Sequence, residues 1–285
     1  AGRLIVDLCD VDSAKFEDYA ASGERLWLNA REARLLAKEE ARLAVKSDAT
    51  LLISDAEAAL FLSRLPEPSL PNVQVISNGI DADAFNPDQV APHPKLASSE
   101  GPHFVFTGQM DYRPNEAAAI WAIENFVPRV RERFPEATLH IVGRNPTAEL
   151  EKNARVPGVR IWGEVPDVRP FLTSADCVLA PLLIARGVQN KVLEAMAMAR
   201  PVLLTPEAAT GIAAKDGEHW LVAPANAGVM RERFEHLVSD PRKAEHMGQA
   251  ARRFVLDHHA WGATLDPFEV LVRGAAEQGE ARNAA

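Results

Sequence analysis

The chain is poor in the residues that most often announce a specialised chemistry. Cys9 and Cys177 are its only cysteines among 285 residues. They are too few and too far apart for a disulfide framework or a zinc site. Both lie in apolar runs, so both are expected to be reduced and buried. Basic residues are outnumbered, 31 Lys and Arg against 40 Asp and Glu, a net charge of -9. That balance argues against nucleic acid as a partner, since phosphate backbones need a basic face. No apolar run reaches the roughly 20 residues of a bilayer span, and a cytoplasmic protein is expected. The histidines form no His-x-x-x-His pair, and the neighbours His258 and His259 fall on different faces of a helix. No bound metal is therefore expected. Neither a Gly-x-Gly-x-x-Gly turn nor a P-loop occurs, which disfavours a dehydrogenase and a P-loop enzyme.

What is present is alternation of short apolar runs with helical stretches. Strands are predicted at 4–9, 49–53 and 73–76, with helices over 24–46 and 55–62 and a cap at Ser54 or Asp55. Residues 86–102 hold four prolines and few large apolar side chains, a composition suited to a linker. Further strands are predicted at 104–107, 138–142, 159–162, 177–180, 201–204 and 220–222. Between the first two, Ile120, Ile123, Val127, Val130 and Phe134 recur at helical spacing. Pro128 should kink or restart that helix. Strand–helix alternation predicts an α/β fold with parallel sheets covered on both faces. Ligands then bind beyond the carboxyl ends of the strands. The tail after Gly274 is expected to fray.

Three stretches together resemble the family 4 retaining glycosyltransferases of the two-domain GT-B fold. They are Val75–Asp81 with Phe85-Asn86-Pro87, Leu139–Gly143 with Val159–Gly163, and Gly187–Ala197 with Arg200-Pro201-Val202. Asp10–Ser13, Gly108 to Asn115, and Asn190-Lys191 resemble the branch associated with bacterial exopolysaccharide loci and the PEP-CTERM exosortase system. The resemblance implies two Rossmann-like domains. Residues 1–88 would be an amino-terminal, acceptor-side part lacking its first strands. Residues 89–102 would be a linker, 103–258 the nucleotide-sugar domain, and 259–285 a terminal helix and tail. It also implies transfer of a sugar from a nucleotide-diphosphate donor to a glycan or lipid-linked acceptor, with retention and without a metal or other cofactor. Peripheral contact with the inner face of the membrane would follow from a lipid-linked acceptor. A nucleotide-sugar epimerase or hydrolase and a non-catalytic nucleotide-sugar-binding fragment are the alternatives.

The resemblance assigns roles residue by residue. Glu194 matches the carboxylate that binds the nucleotide ribose, and a carboxylate can accept from two adjacent hydroxyls. Gly187, Val188 and Gln189 precede its helix, where free backbone N–H groups suit phosphate. Arg186 stands where the family has a sugar-contacting Glu, so a cation replaces an acid. Gln109 and Asn115 stand where the family has an Arg and a Lys against the leaving diphosphate. Arg186, Arg113 and Lys191 are the candidates to replace that charge. Gly163, Glu164 and Val165 follow a strand where the nucleobase is expected. Asp10 and Asp12 are candidate catalytic carboxylates that would orient an acceptor hydroxyl. Each also has a plain reading as a cap, a turn or a solvated side chain. Arg31, Arg34, Lys38, Arg42 and Lys46 form a helical stripe that anionic lipid would suit, but interleaved Glu32, Glu39 and Glu40 favour a solvated face.

Overall fold

The computed structural model describes residues 3–21, 23, 25–67, 71–185 and 187–283. Its contacts divide it into two compact units. One runs to Asn78 and takes in the chain from Thr264 on; the other is Gly79–Ala263.

The first unit holds a parallel sheet in the order β1 (Ile5–Cys9), β2 (Ala49–Leu52), β3 (Val73–Val75). Central β2 is buried along its length. Phe61 from the helix Asp55–Arg64 packs with Leu52, Val11 and Ala44. Ser54 caps that helix by accepting from the Glu57 amide at 3.2 Å. A helix that the apolar pattern does not announce spans Asp12–Ala21. A buried acid holds its start: Glu40 accepts from the Ser13 amide at 2.9 Å and the Ser13 hydroxyl at 2.6 Å. Cys9 corrects the sequence reading. It is exposed, not buried. The β1–β2 register slips between Asp7 and Cys9, and Cys9 takes φ 60°, which turns it out of the sheet. Cys177 is buried, and burial pushes its thiol pKa up. In the stripe on Leu26–Lys46, Arg31 and Arg42 are taken up by Glu32 and Glu39.

The second unit is built on a six-stranded parallel sheet, β6-β5-β4-β7-β8-β9. The strands are β4 (His103–Thr107), β5 (Thr138–Val142), β6 (Val159–Gly163), β7 (Cys177–Ala180), β8 (Val202–Leu204) and β9 (Leu221–Val222). The inner strands β4, β7 and β8 are buried throughout. Phe104 packs edge-on to Phe126 and tilted to Phe234, which closes the core against two helices. Pro128 acts one turn early: residues Ala122–Phe126 widen into a π-turn, and the α-helix resumes at Val127–Arg131. Proline lacks an amide hydrogen and crowds the carbonyl four residues back, and a π-turn relieves both. The 86–102 stretch carries a short turn at Pro94–Ala97 whose Leu96 is buried in this core. The last helix runs Trp261–Asn283.

The sheet also buries a histidine chain. Trp162 Nε1 donates to His140 Nδ1 at 3.1 Å, and His140 Nε2 lies 3.1 Å from His103 Nδ1. Indole nitrogen only donates, so neutral His140 carries its proton on Nε2 and gives it to His103. Burial, then His103, pushes the His140 pKa down from 6.5 to about 3. Between those values the unfolded chain binds the proton and the native chain does not, so stability falls as pH falls. The unfolding free energy of the protein should drop between pH 7 and 5 by about 2 kcal/mol more than that of His140→Gln. Parallel urea midpoints for the two proteins would refute this.

Candidate functional site

Every strand of the second unit's sheet points the same way, so all carboxyl ends share one edge. From β4 the chain adds β5 and β6 on one side, then returns to place β7 on the other. The crevice beyond β4 and β7 is thus the topological switch point, where open parallel sheets bind ligands.

Two glycines shape this edge. Gly108 follows β4 and Gly143 follows β5. A Cβ on Gly143 would stand 1.6 Å from the Gly108 carbonyl oxygen. A Cβ on Gly108 would stand 2.8 Å from Asn115 Nδ2 and 3.0 Å from Lys191 Nζ. Only bare backbone fits at either place. After β7, Gly187 takes φ 61° and leads into the helix Asn190–Ala197. Gln189 is its N-cap.

That helix brings Lys191 and Glu194 to the crevice, both half-buried. Lys191 Nζ donates to Asn115 Oδ1 and lies 4.8 Å from the centroid of the Phe106 ring. Asn115, itself buried, donates to the Gln109 carbonyl at 2.9 Å. Burial lowers the Lys191 pKa to about 8, and Glu194 opposes the shift. Burial raises the Glu194 pKa, and Lys191 opposes it. Each charge is half-desolvated and supports the other, which suits groups awaiting a polar ligand.

A second cation enters from β5. Arg144 Nη2 donates to Gln109 Oε1 at 2.6 Å, and the Met110 amide donates to the Arg144 carbonyl at 2.9 Å. Asn145 donates to Asp111 at 3.1 Å in the same loop pair. Hydrogen bonds from Gln109 and Asn145 hold the Asp111 pKa down. The two amides that occupy the expected cation positions, Gln109 and Asn115, thus each hold a cation from a neighbouring element.

The sequence-predicted residues divide as follows. Lys191 and Glu194 meet at the switch point, with Gly187, Val188 and Gln189 just ahead of them. The Val188 side chain is buried and packs near Gly211, which leaves only its backbone for any ligand contact. Arg113 is exposed at the start of the helix Arg113–Trp121. Gly163, Glu164 and Val165 lie on the same edge but two strands from β4, about 10 Å away by strand spacing. The Gly163 carbonyl accepts from the Gly143 amide at 2.8 Å. Arg186 lies outside the described residues. Asp10 and Asp12 belong to the first unit, where Asp12 pairs with Lys15 at 3.6 Å. Sequence reasoning missed Arg144, although its place directly after the glycine that follows β5 was a signal.

Volume alone points elsewhere. A cavity of about 1150 Å³ opens between the helices Ala227–Val238 and Pro241–His258, with none of these residues in its lining. Convergent polar groups and perturbed pKa values favour the switch point. Among the described residues, no group of three or more His, Cys, Asp or Glu is placed to hold a metal ion. No described helix is long and apolar enough to cross a membrane.

Comparison with known proteins bears on the family and the fold. Residues 101–240 match the family model described as glycosyl transferases group 1. A phosphatidyl-myo-inositol mannosyltransferase of Mycobacterium leprae is 30% identical over 155 residues, 53% of this chain and 40% of that protein. A GDP-mannose-dependent alpha-(1-6)-phosphatidylinositol monomannoside mannosyltransferase of Mycolicibacterium smegmatis is 25% identical over 252 residues, 80% of this chain and 65% of that protein. The chain thus spans less than two thirds of either relative. Among solved structures, Anabaena Alr3699/HepE in complex with UDP and glucose superposes with a TM-score of 0.67 at 15% identity, covering 98% of this chain and 71% of that one. The fold is the α/β fold of GT-B glycosyltransferases.

Proposed function

We propose, from the match of residues 101–240 to the group 1 glycosyltransferase model, that the switch-point crevice binds a nucleoside-diphosphate sugar for transfer to a glycan or lipid-linked acceptor. The observation that carries this is the placing of Lys191 and Glu194 on one helix beside the bare backbones of Gly108 and Gly143. Glu194 takes the ribose hydroxyls. Lys191, with the first amides of its helix, takes the diphosphate. The glycines let the phosphates approach the backbone. The solved neighbour holds UDP and glucose, and the curated relatives are mannosyltransferases; both support a hexose donor.

Transfer proceeds with retention, the acceptor hydroxyl attacking on the face from which the diphosphate departs. No metal is required, because Lys191 and Arg144 offset the charge that develops on the leaving diphosphate. Asp10 and Asp12 orient the acceptor, and Gly163–Val165 meet the base. Arg113 and Arg186 add charge at the rim. The acceptor belongs to exopolysaccharide assembly, at the inner face of the membrane.

The test is nucleotide release from UDP-glucose and GDP-mannose, with and without a lipid-phosphate-linked glycan. Release that needs the acceptor and yields an α-linked product supports transfer; equal release without it makes the protein a hydrolase. Glu194→Ala should weaken UDP or GDP binding about 10- to 150-fold, the worth of about 1.5–3 kcal/mol for a charged hydrogen bond. Calorimetry showing unchanged affinity in a folded variant removes Glu194 from the site.

A further inference from the structure

A second cavity, of about 570 Å³, lies along the outer flank of β6. Thr138, which opens β5, and Gly158 and Val159, which lead into β6, line it. Ile161 and Trp162 line it too, so it runs along β6 from the amino end of the strand to one residue short of Gly163. Its charged lining is Lys95, Arg131 and Arg160, with Glu136 the one acid among the described residues there. Three cations against one acid is a sharp local departure in a chain with 31 basic and 40 acidic residues. No ion pair recorded among the described residues involves any of the three.

One of these cations is held in place, and a second, exposed, rests near an aromatic ring. Arg131 is half-buried, and its Nη1 donates to the Ala137 carbonyl at 2.7 Å. It lies against Gly158, where a Cβ would stand 2.6 Å from Arg131 Cδ. Glycine there, at φ 80°, is what lets the guanidinium lie across the turn. Lys95 Nζ sits 5.5 Å from the centroid of the Trp162 ring. Arg160 and Trp162, both on β6, line the same cavity.

A cavity of this size matches a small molecule, and a cation held in place lowers the entropic cost of gripping an anion. We propose that it binds a small organic polyanion, a molecule with two or more phosphate or carboxylate groups, independently of the donor crevice. One anionic group bridges Arg131 and Arg160. The other draws Lys95 from above the indole.

The test uses the whole chain and fructose 1,6-bisphosphate as the probe, with inorganic phosphate and fructose as controls. Calorimetry should show one site per chain, at least about 10-fold tighter for the bisphosphate than for phosphate. Binding should change tryptophan fluorescence, and Trp162→Phe should remove that change. Arg131→Gln with Arg160→Gln should weaken binding at least about 10-fold. The exposed single change Arg160→Gln, which leaves the Arg131–Ala137 bond untouched, should weaken it about 3-fold or more. Lys191→Met should leave it unchanged. Unaltered affinity in the Arg160 variants overturns the proposal. So does loss of binding in Lys191→Met, which would place the probe in the donor crevice. Failure of the wild-type chain to bind either the bisphosphate or citrate at millimolar concentration overturns it as well.

Discussion

Lys191→Met is expected to weaken binding of a nucleoside diphosphate about 100-fold while changing nucleoside binding less than about 2-fold. The ammonium is half-buried, fixed by Asn115 and the Phe106 ring, and adjacent to backbone that only glycine can form. An ion pair formed there is not screened as a surface pair would be. Methionine keeps the aliphatic length and removes only the charge and the donor. The same lysine gives wild-type binding a pH signature. With its pKa lowered to about 8, the free protein loses the cation as pH rises past that value. Diphosphate affinity should then fall by up to about tenfold per pH unit above 8, since the protonated form is the one that binds. In Lys191→Met that slope should vanish. Titrations from pH 7 to 9.5 that run parallel for the two proteins would show that Lys191 does not touch the phosphates, whatever happens to the absolute affinity.

The parts of this arrangement that could be read in the sequence are those set by local pattern. Buried strands such as Cys177–Ala180 and Thr138–Val142 announce themselves as apolar runs between helical stretches, and their bounds match the observed ones. The helix carrying Lys191 and Glu194 was legible for the same reason, with glycine just ahead of it. What could not be read were contacts made across the sheet. Gln109 and Asn115 look like lost charges when the chain is read along its length. The fold shows each of them holding a cation, one from the end of β5 and one from the helix after β7. Those pairs are 35 and 76 residues apart, beyond any local periodicity. The Asp12–Ala21 helix escaped notice because its start is satisfied by Glu40, 27 residues on from Ser13, and not by a capping residue of its own. Cys9 misled because an apolar neighbourhood predicts burial but says nothing of a register slip at the strand end.

Gly143→Ala should be the most damaging single-methyl change in the second unit's ligand edge. Its Cβ would fall 1.6 Å from the Gly108 carbonyl oxygen, and the obstacle is backbone, which cannot swing aside as a side chain would. Relief requires the β4 and β5 ends to part. That would strain the Gly108 amide bond to Val142 at 3.2 Å and the Met110–Arg144 link beside it. A loss of about 3 kcal/mol or more in unfolding free energy is expected, in the range reserved for overpacking and backbone strain. Gly163→Ala is the control. That glycine is also at positive φ, 68°, at the end of the adjacent strand, but a Cβ there meets nothing within 4 Å. Its cost should be only the left-handed backbone penalty, about 1–2 kcal/mol. The two variants therefore separate strain from collision on neighbouring strands. The functional consequence should separate as well. Parting Gly108 from Gly143 moves Gln109, and with it Arg144, and displaces the wall against which Lys191 rests. Gly143→Ala, where it still folds at low temperature, should bind inorganic pyrophosphate and nucleoside diphosphate at least about 10-fold more weakly, and Gly163→Ala, at the proposed place of the base, should retain near-normal pyrophosphate binding. Denaturation midpoints that fall equally in the two variants would mean that β4 and β5 part freely. A Gly143→Ala protein with normal diphosphate affinity would mean that the phosphates do not rest on this pair of turns.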